Sequence, residues 1–182
     1  MPSSAGLSLL YYDRAFGGTV RRVPQGACVL AEQDEVLATL LGSCVAVCLR
    51  DRTRGIGGMN HFLMPSPGGD QPLFPAHADY PYGEDAMEHL LSALLAQGAQ
   101  RDTLEAKVFG GAEMVPVLEG VGKRNADCAL RFLNGQGLSP VAQDLGGTAS
   151  RRVYFQPCTG KVWVRRRQAQ QARPATSGGP PS

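Results

Sequence analysis

Thr39-Leu-Leu-Gly-Ser-Cys44-Val-Ala-Val-Cys-Leu-Arg-Asp51, followed by Ile56-Gly-Gly-Met-Asn-His61-Phe-Leu-Met64, is the stretch on which the reading of this chain turns. From Cys44 to Leu49 both alternating positions are apolar, so this strand is covered on both faces. Asp51-Arg52-Thr53-Arg54-Gly55 between the two runs is a polar turn. Gly57 and Gly58 mark a bulge or a close backbone approach. An antiparallel hairpin centred between Arg52 and Thr53 sets Cys44 opposite His61, with Cβ atoms about 4.5–5.5 Å apart. A thiol that close to an imidazole forms a thiolate–imidazolium pair, with a lowered thiol pKa and a nucleophile at neutral pH. A slip of one residue sends the two side chains to opposite faces. The competing interpretation is a packing thiol and a satisfied core histidine.

Working outward, Ala27–Ala31 and Val36–Leu41 are short apolar runs of strand character, with Gly42-Ser43 as a turn signal after the second. Residues 1–26 have no sustained period and are expected to be a poorly ordered or extended lead-in. Residues 66–82 form a loop with four prolines, and loops of that length are functional or disordered. Glu84–Gln97 carries Met87, Leu90, Leu91, Leu94 and Leu95 on one helical stripe, with acids in its first turn and Gly98 after its end. Leu104–Phe109 is a strand, and Asn125–Leu133 a second helix. Val141–Leu145, Val153–Gln156 and Val162–Arg166 are late strands, the last two joined by a turn at Thr159-Gly160. About seven strands and two principal helices in this order give an α+β fold with a mainly antiparallel or mixed sheet. The helices cover one sheet face, and the other must find different cover. A single domain over 27–167 is expected, followed by a disordered tail over 168–182 of Gln, Ala, Pro, Ser and Gly.

Composition narrows the function. The 182 residues carry a net charge of +2. Five basic residues and no acid from Lys161 onward leave a mildly acidic body, so nothing favours nucleic acid, and Arg165-Arg166-Arg167 is most simply a solvated strand end. No apolar run reaches the roughly 18 residues of a membrane span, and Met1–Leu10 has no basic patch of a secretory signal. Membrane insertion is therefore not expected. The five cysteines (Cys28, Cys44, Cys48, Cys128 and Cys158) are expected as free thiols of a reducing compartment. Cys44 and Cys48 on one strand stand about 13 Å apart at about 3.3 Å per residue, too far for a disulfide, and their spacing is not that of a zinc site. His77 and His89 are expected on the surface. Gly110-Gly111 is followed by no Lys-Ser/Thr pair, so it makes no phosphate loop.

The run Leu41–Asp51 with Gly57–Pro65 resembles the chemoreceptor glutamine deamidase family (CheD) of bacterial chemotaxis. The resemblance continues through Ala106–Ala112, Asp144-Leu-Gly-Gly147, Arg152-Val-Tyr-Phe155 and Thr159–Val164, over roughly residues 27–166. It implies an α/β/β sandwich and a cytoplasmic cysteine hydrolase that converts receptor glutamine side chains to glutamate. By the same resemblance Cys44 is the nucleophile and His61 its histidine. A family threonine six residues before the cysteine falls on Ala38, and Thr39 stands next to it. In a β-hairpin with a two-residue turn Thr39 shares the Cys44 side, and with a three-residue turn Ala38 does; Thr39 is the third candidate. Acyl transfer then needs backbone N–H donors at Ser43 and Cys44 for the oxyanion, and no metal or organic cofactor. Implied partners are chemoreceptor cytoplasmic helices and a CheC-type phosphatase, with the 66–82 loop as a docking edge. A binding module for such a phosphatase or receptor with little catalysis is the alternative reading, and a small cysteine protease a third.

Overall fold

The computed structural model describes residues 9–67, 78–114 and 116–168. The tail, His77 and most of the proline-rich loop lie outside the described residues. Among the described residues ten strands form two five-stranded sheets. The first sheet has the order β1 (Leu10–Asp13), β2 (Gly18–Arg22), β4 (Leu37–Leu41), β9 (Ser150–Gln156), β10 (Lys161–Arg167). The second has the order β3 (Cys28–Leu30), β6 (Gly57–Asn60), β5 (Val45–Asp51), β7 (Leu104–Gly110), β8 (Ala142–Leu145). Two helices, α1 (Gly83–Ala96) and α2 (Val121–Gly135), lie on the second sheet. The layers run helices, second sheet, first sheet, an α/β/β sandwich of the α+β class.

β5 occupies the middle, and its alternation builds both cores. Val45, Val47 and Leu49 pack with Phe62 and with Met87, Leu90 and Leu94 of α1. Ala46 and Cys48 face the first sheet, against Leu37, Leu41, Val153 and Phe155. Burying each large aliphatic side chain is worth about 1.5–3 kcal/mol, so the strand is stabilised from both sides. The first sheet is thus the cover that the second sheet's other face required. Its own outer face is capped locally, with Phe16 stacked on Tyr154 at 4.8 Å between centroids.

Three expectations change. The lead-in contributes β1 and β2, an antiparallel hairpin whose second strand runs parallel to β4. The β5–β6 hairpin pairs Cys48 with Met59, Leu49 with Gly58 and Arg50 with Gly57, because its turn holds Arg52 to Gly55. Carried forward, this register sets His61 opposite Ala46 rather than Cys44. The shift is two residues, and side chains alternate with period two, so Cys44 and His61 keep a common face. Finally, β4 and β5 do not form a hairpin. β4 pairs with β2 and β9 and β5 with β6 and β7, so Gly42-Ser43 is a crossover between sheets.

α2 starts four residues before the expected Asn125. Its first turn has no local cap; the Glu113 carboxylate, from the loop after β7, accepts the Gly120 and Lys123 N–H groups at 3.0 Å each. An acid there satisfies orphan donors and suits the helix dipole.

Candidate active site

The sheet-to-sheet crossover is tied from the β7 side. The Ala112 N–H donates to the Gly42 carbonyl and the Gly111 N–H to the Cys44 carbonyl, both at 2.9 Å. Gly110 has φ +113° and lies so close to the Cys44 carbonyl that a Cβ would collide with it. The Gly110-Gly111 pair that made no phosphate loop is therefore a bed for the Cys44 segment, needed because two backbones approach closely.

His61 lies just beyond β6, where the ladder to β5 is interrupted. Asn60 Oδ1, not a backbone carbonyl, takes the Val47 N–H at 2.8 Å, and pairing resumes at the Val45–Phe62 bridge. The His61 backbone is held by the β2–β3 connection, donating to the Ala27 carbonyl at 3.0 Å and accepting from the Gly26 N–H at 2.7 Å. In this register Cys44 and His61 are diagonal neighbours, about 7–8 Å apart between Cα atoms and within reach of a long side chain. Cys44 is partly buried against the inter-sheet core, and His61 is almost wholly buried.

Thr39 reaches this pair from the opposite sheet. On β4 the side chains of Leu37, Thr39 and Leu41 face inward, while Ala38 faces the outer layer with Val20 and Tyr154. Thr39 Oγ1 donates to the Val23 carbonyl at 2.8 Å and lies 2.8 Å from His61 Nδ1. The hydroxyl has one hydrogen, and the carbonyl takes it. His61 Nδ1 must then be the donor to Thr39, which leaves the lone pair on Nε2. That Nε2 is buried and has no hydrogen-bond partner. Thr39, not Ala38, thus contacts the histidine, through a sandwich contact rather than either hairpin geometry.

Electrostatics corrects the expected ion pair. Burial pushes the Cys44 thiol up to about 11, partly offset by its own backbone N–H. Burial pushes His61 down to about 4. Each shift disfavours the charged form, opposite to the expected thiolate–imidazolium pair, because burial strips the charge of its solvation. A notch of about 480 Å³ opens between the end of β2 and β4, floored by Thr39 and His61 and walled by Val23, Pro24, Leu40 and Arg152.

The other candidates stand apart. Cys28 donates to the Ala86 carbonyl at 3.3 Å, and burial pushes its thiol up to about 12. Cys48 is wholly buried between the sheets and Cys128 lies against α1 and β5. His89 stacks on Tyr80 at 4.0 Å. Among the described residues no cluster of three or more His, Cys, Asp and Glu side chains gathers as metal ligands would.

Fold and site together define an α/β/β sandwich that brings a thiol, an imidazole and a hydroxyl to the seam between its two sheets. The family model described as CheD chemotactic sensory transduction matches residues 63–166. A probable chemoreceptor glutamine deamidase CheD of Thiobacillus denitrificans is 46% identical over 162 residues, covering 86% of this chain and 78% of that protein. Proteins of the same name from Ralstonia pickettii and Bordetella petrii are 42% and 45% identical, covering 94% and 86% of this chain and 73% and 70% of their own. An alignment over 86% of 182 residues has to include the segment from Thr39 to His61, wherever it starts. The chain belongs to the CheD family.

Proposed function

We propose that this protein hydrolyses glutamine side chains on the cytoplasmic helices of methyl-accepting chemoreceptors to glutamate, with Cys44 as nucleophile, His61 as base and acid, and Thr39 orienting His61. The observation that carries the residue roles is the Val23–Thr39–His61 hydrogen-bond chain, which leaves an unpartnered Nε2 lone pair on a residue that shares its sheet face with Cys44. The named relatives support the substrate class.

From the neutral pair, Nε2 removes the thiol proton as sulfur bonds to the carboxamide carbon. The C=O electron pair moves to oxygen, where the backbone N–H groups at Ser43 and Cys44 receive the negative charge. The imidazolium gives its proton to the departing nitrogen, the C–N bond breaks, and ammonia leaves a thioester. Water, deprotonated by the same Nε2, attacks that thioester. The C–S bond breaks, and the proton returns to sulfur, releasing glutamate and the resting thiol. Burial favours this neutral starting state and strengthens each transient charge interaction once the substrate excludes water. No helix among the described residues is long and apolar enough to cross a membrane. In this reading the protein works in the cytoplasm, where its cysteines stay free thiols. A CheC-type phosphatase is its regulatory partner.

The test is mass spectrometry of a receptor cytoplasmic fragment incubated with the protein, with ammonia release measured in parallel. A gain of about 1 Da per modified glutamine is expected for acyl transfer to water. No shift with the intact protein sinks the reading and leaves the binding-module alternative, and a shift that survives Cys44→Ala removes Cys44 as the nucleophile. Co-purification of the phosphatase with the protein and with Cys44→Ala alike tests the partner.

A further inference from the structure

Asn125, on the first turns of α2, is wholly buried and touches both segments of the site. Its Nδ2 donates to the Ser43 carbonyl at 3.0 Å and to the Leu63 carbonyl at 2.9 Å. The amide orientation follows from chemistry: two carbonyls can be served only by the NH2 group, which has two hydrogens. Its Oδ1 is left buried without a partner. Ser43 directly precedes Cys44, and Leu63 lies two residues beyond His61, so one side chain ties the two halves of the site to one helix.

The grip on Ser43 completes a series. The carbonyls of Gly42, Ser43 and Cys44 are held by Ala112 N–H, Asn125 Nδ2 and Gly111 N–H, in that order. A peptide unit is planar and trans, so its C=O and N–H point in opposite directions. Fixing the Ser43 carbonyl toward α2, on the helix side of the second sheet, turns the Cys44 N–H toward the opposite side. That is the inter-sheet side, against which Cys44 packs. Backbone bonds hold the Gly42 and Cys44 carbonyls; only the middle peptide, whose N–H belongs to the nucleophile itself, depends on a side chain.

We infer that Asn125 is a positioning residue for acyl transfer: by clamping the Ser43 carbonyl, with the Leu63 carbonyl as its second anchor, it aims the Cys44 N–H at the oxyanion. The inference rests on the amide hydrolysis proposed above. It explains why a buried polar side chain with one unpartnered oxygen occupies a helix face otherwise made of Ala126, Cys128, Ala129 and Leu133.

Alkylation separates this role from a merely structural one. Attack of Cys44 on iodoacetamide forms no oxyanion, whereas attack on a carboxamide does. Asn125→Ala is expected to lower kcat for ammonia release from a receptor cytoplasmic fragment by about 10–100-fold, the scale of a misaimed oxyanion donor. KM and the rate of Cys44 alkylation should each stay within about threefold of the parent in this same donor-loss comparison. Asn125→Ser, which keeps one donor, covers the case in which the alanine variant does not fold; the same split between kcat and alkylation is expected of it. A folded variant with the parent's kcat overturns the inference, and so does a parallel fall of alkylation and turnover. If the parent protein releases no ammonia, the hydrolase reading fails, and this inference fails with it. A parent that turns over beside a variant that turns over equally well removes Asn125 alone.

Discussion

At one end of β5 the buried polar groups are all engaged, and at the other they are not. Asp51, wholly buried at the far end, accepts from Thr53 N–H at 2.9 Å, Thr53 Oγ1 at 2.7 Å, Arg54 N–H at 3.0 Å and Gln100 N–H at 2.9 Å. Burial by itself would raise this carboxyl, but the Gln100, Thr53 and Arg54 donors hold it well below the ordinary carboxylate range. At the Cys44 end, Asn60 Nδ2, His61 Nε2 and Asn125 Oδ1 are the buried side-chain polar atoms left without partners among the described residues. An unsatisfied buried polar group costs about 1–3 kcal/mol. One strand therefore carries a fastening at one end and open hydrogen-bonding capacity at the other, and the open end holds the thiol.

If that division is real, substitutions at the two ends separate activity from stability. The largest effect belongs to Cys44→Ala, which should lower ammonia release by at least about 10⁴-fold, the scale of losing a nucleophile. Its melting temperature should stay near the parent's, and a large drop would show that the thiol also fastens the seam. Asp51→Ala should do the opposite. It strands three backbone N–H donors and lowers stability by about 3 kcal/mol by urea unfolding. Turnover per folded molecule should remain within about twofold of the parent, far short of the effect of a group that meets the reacting atoms. A matching loss of kcat would erase the distinction between the ends.

Acid should loosen the two ends in different windows. His61 has a folded pKa of about 4, against about 6.5 unfolded. Between those values the unfolded chain binds more protons, so stability rises with pH from about 4 to 6.5, by about 3 kcal/mol in all. His61→Phe should flatten that slope. Asp51 acts lower: its folded carboxyl is depressed, so its contribution is present above about pH 4 and fades as pH falls further. Urea midpoints across pH 3–8 for the parent and His61→Phe test this, and an unchanged slope would place the imidazole in a solvated setting. The smallest effect is that of Thr39→Val, about tenfold in kcat, since it removes the acceptor for Nδ1–H and not the base. Thr39→Ser should restore most of the rate, and failure to do so would assign Thr39 to packing.

Much of this was legible in the residues. Doubly apolar β5, the α1 stripe and the β9–β10 hairpin are local patterns whose period follows from backbone geometry. The common face of Cys44 and His61 survived a misplaced register because the four-residue turn from Arg52 to Gly55 moved the pairing by an even number. Thr39 was ambiguous with Ala38 because both trial geometries assumed that β4 and β5 pair. No local signal marks a Gly-Ser pair as a crossover between sheets. Asn125 gave no signal either: on a helix it is one polar residue among several, and its two acceptors lie more than sixty positions away along the chain.

By itself, then, the sequence determined the elements and their buried faces, since alternation, helical stripes and turn residues act over a few positions. It also determined that Cys44 and His61 share one face of their sheet, because that depends only on register parity. The tertiary structure decided that the lead-in joins the first sheet, that β4 leaves β5 for β2 and β9, and that α2 begins at Val121 under the Glu113 carboxylate. It alone set the histidine's tautomer through Thr39 and turned the Cys44 peptide through Asn125. The reason is physical: a strand's partners and a buried donor's acceptor are chosen by packing between layers, and residues far apart in the chain meet only once both faces of β5 are covered.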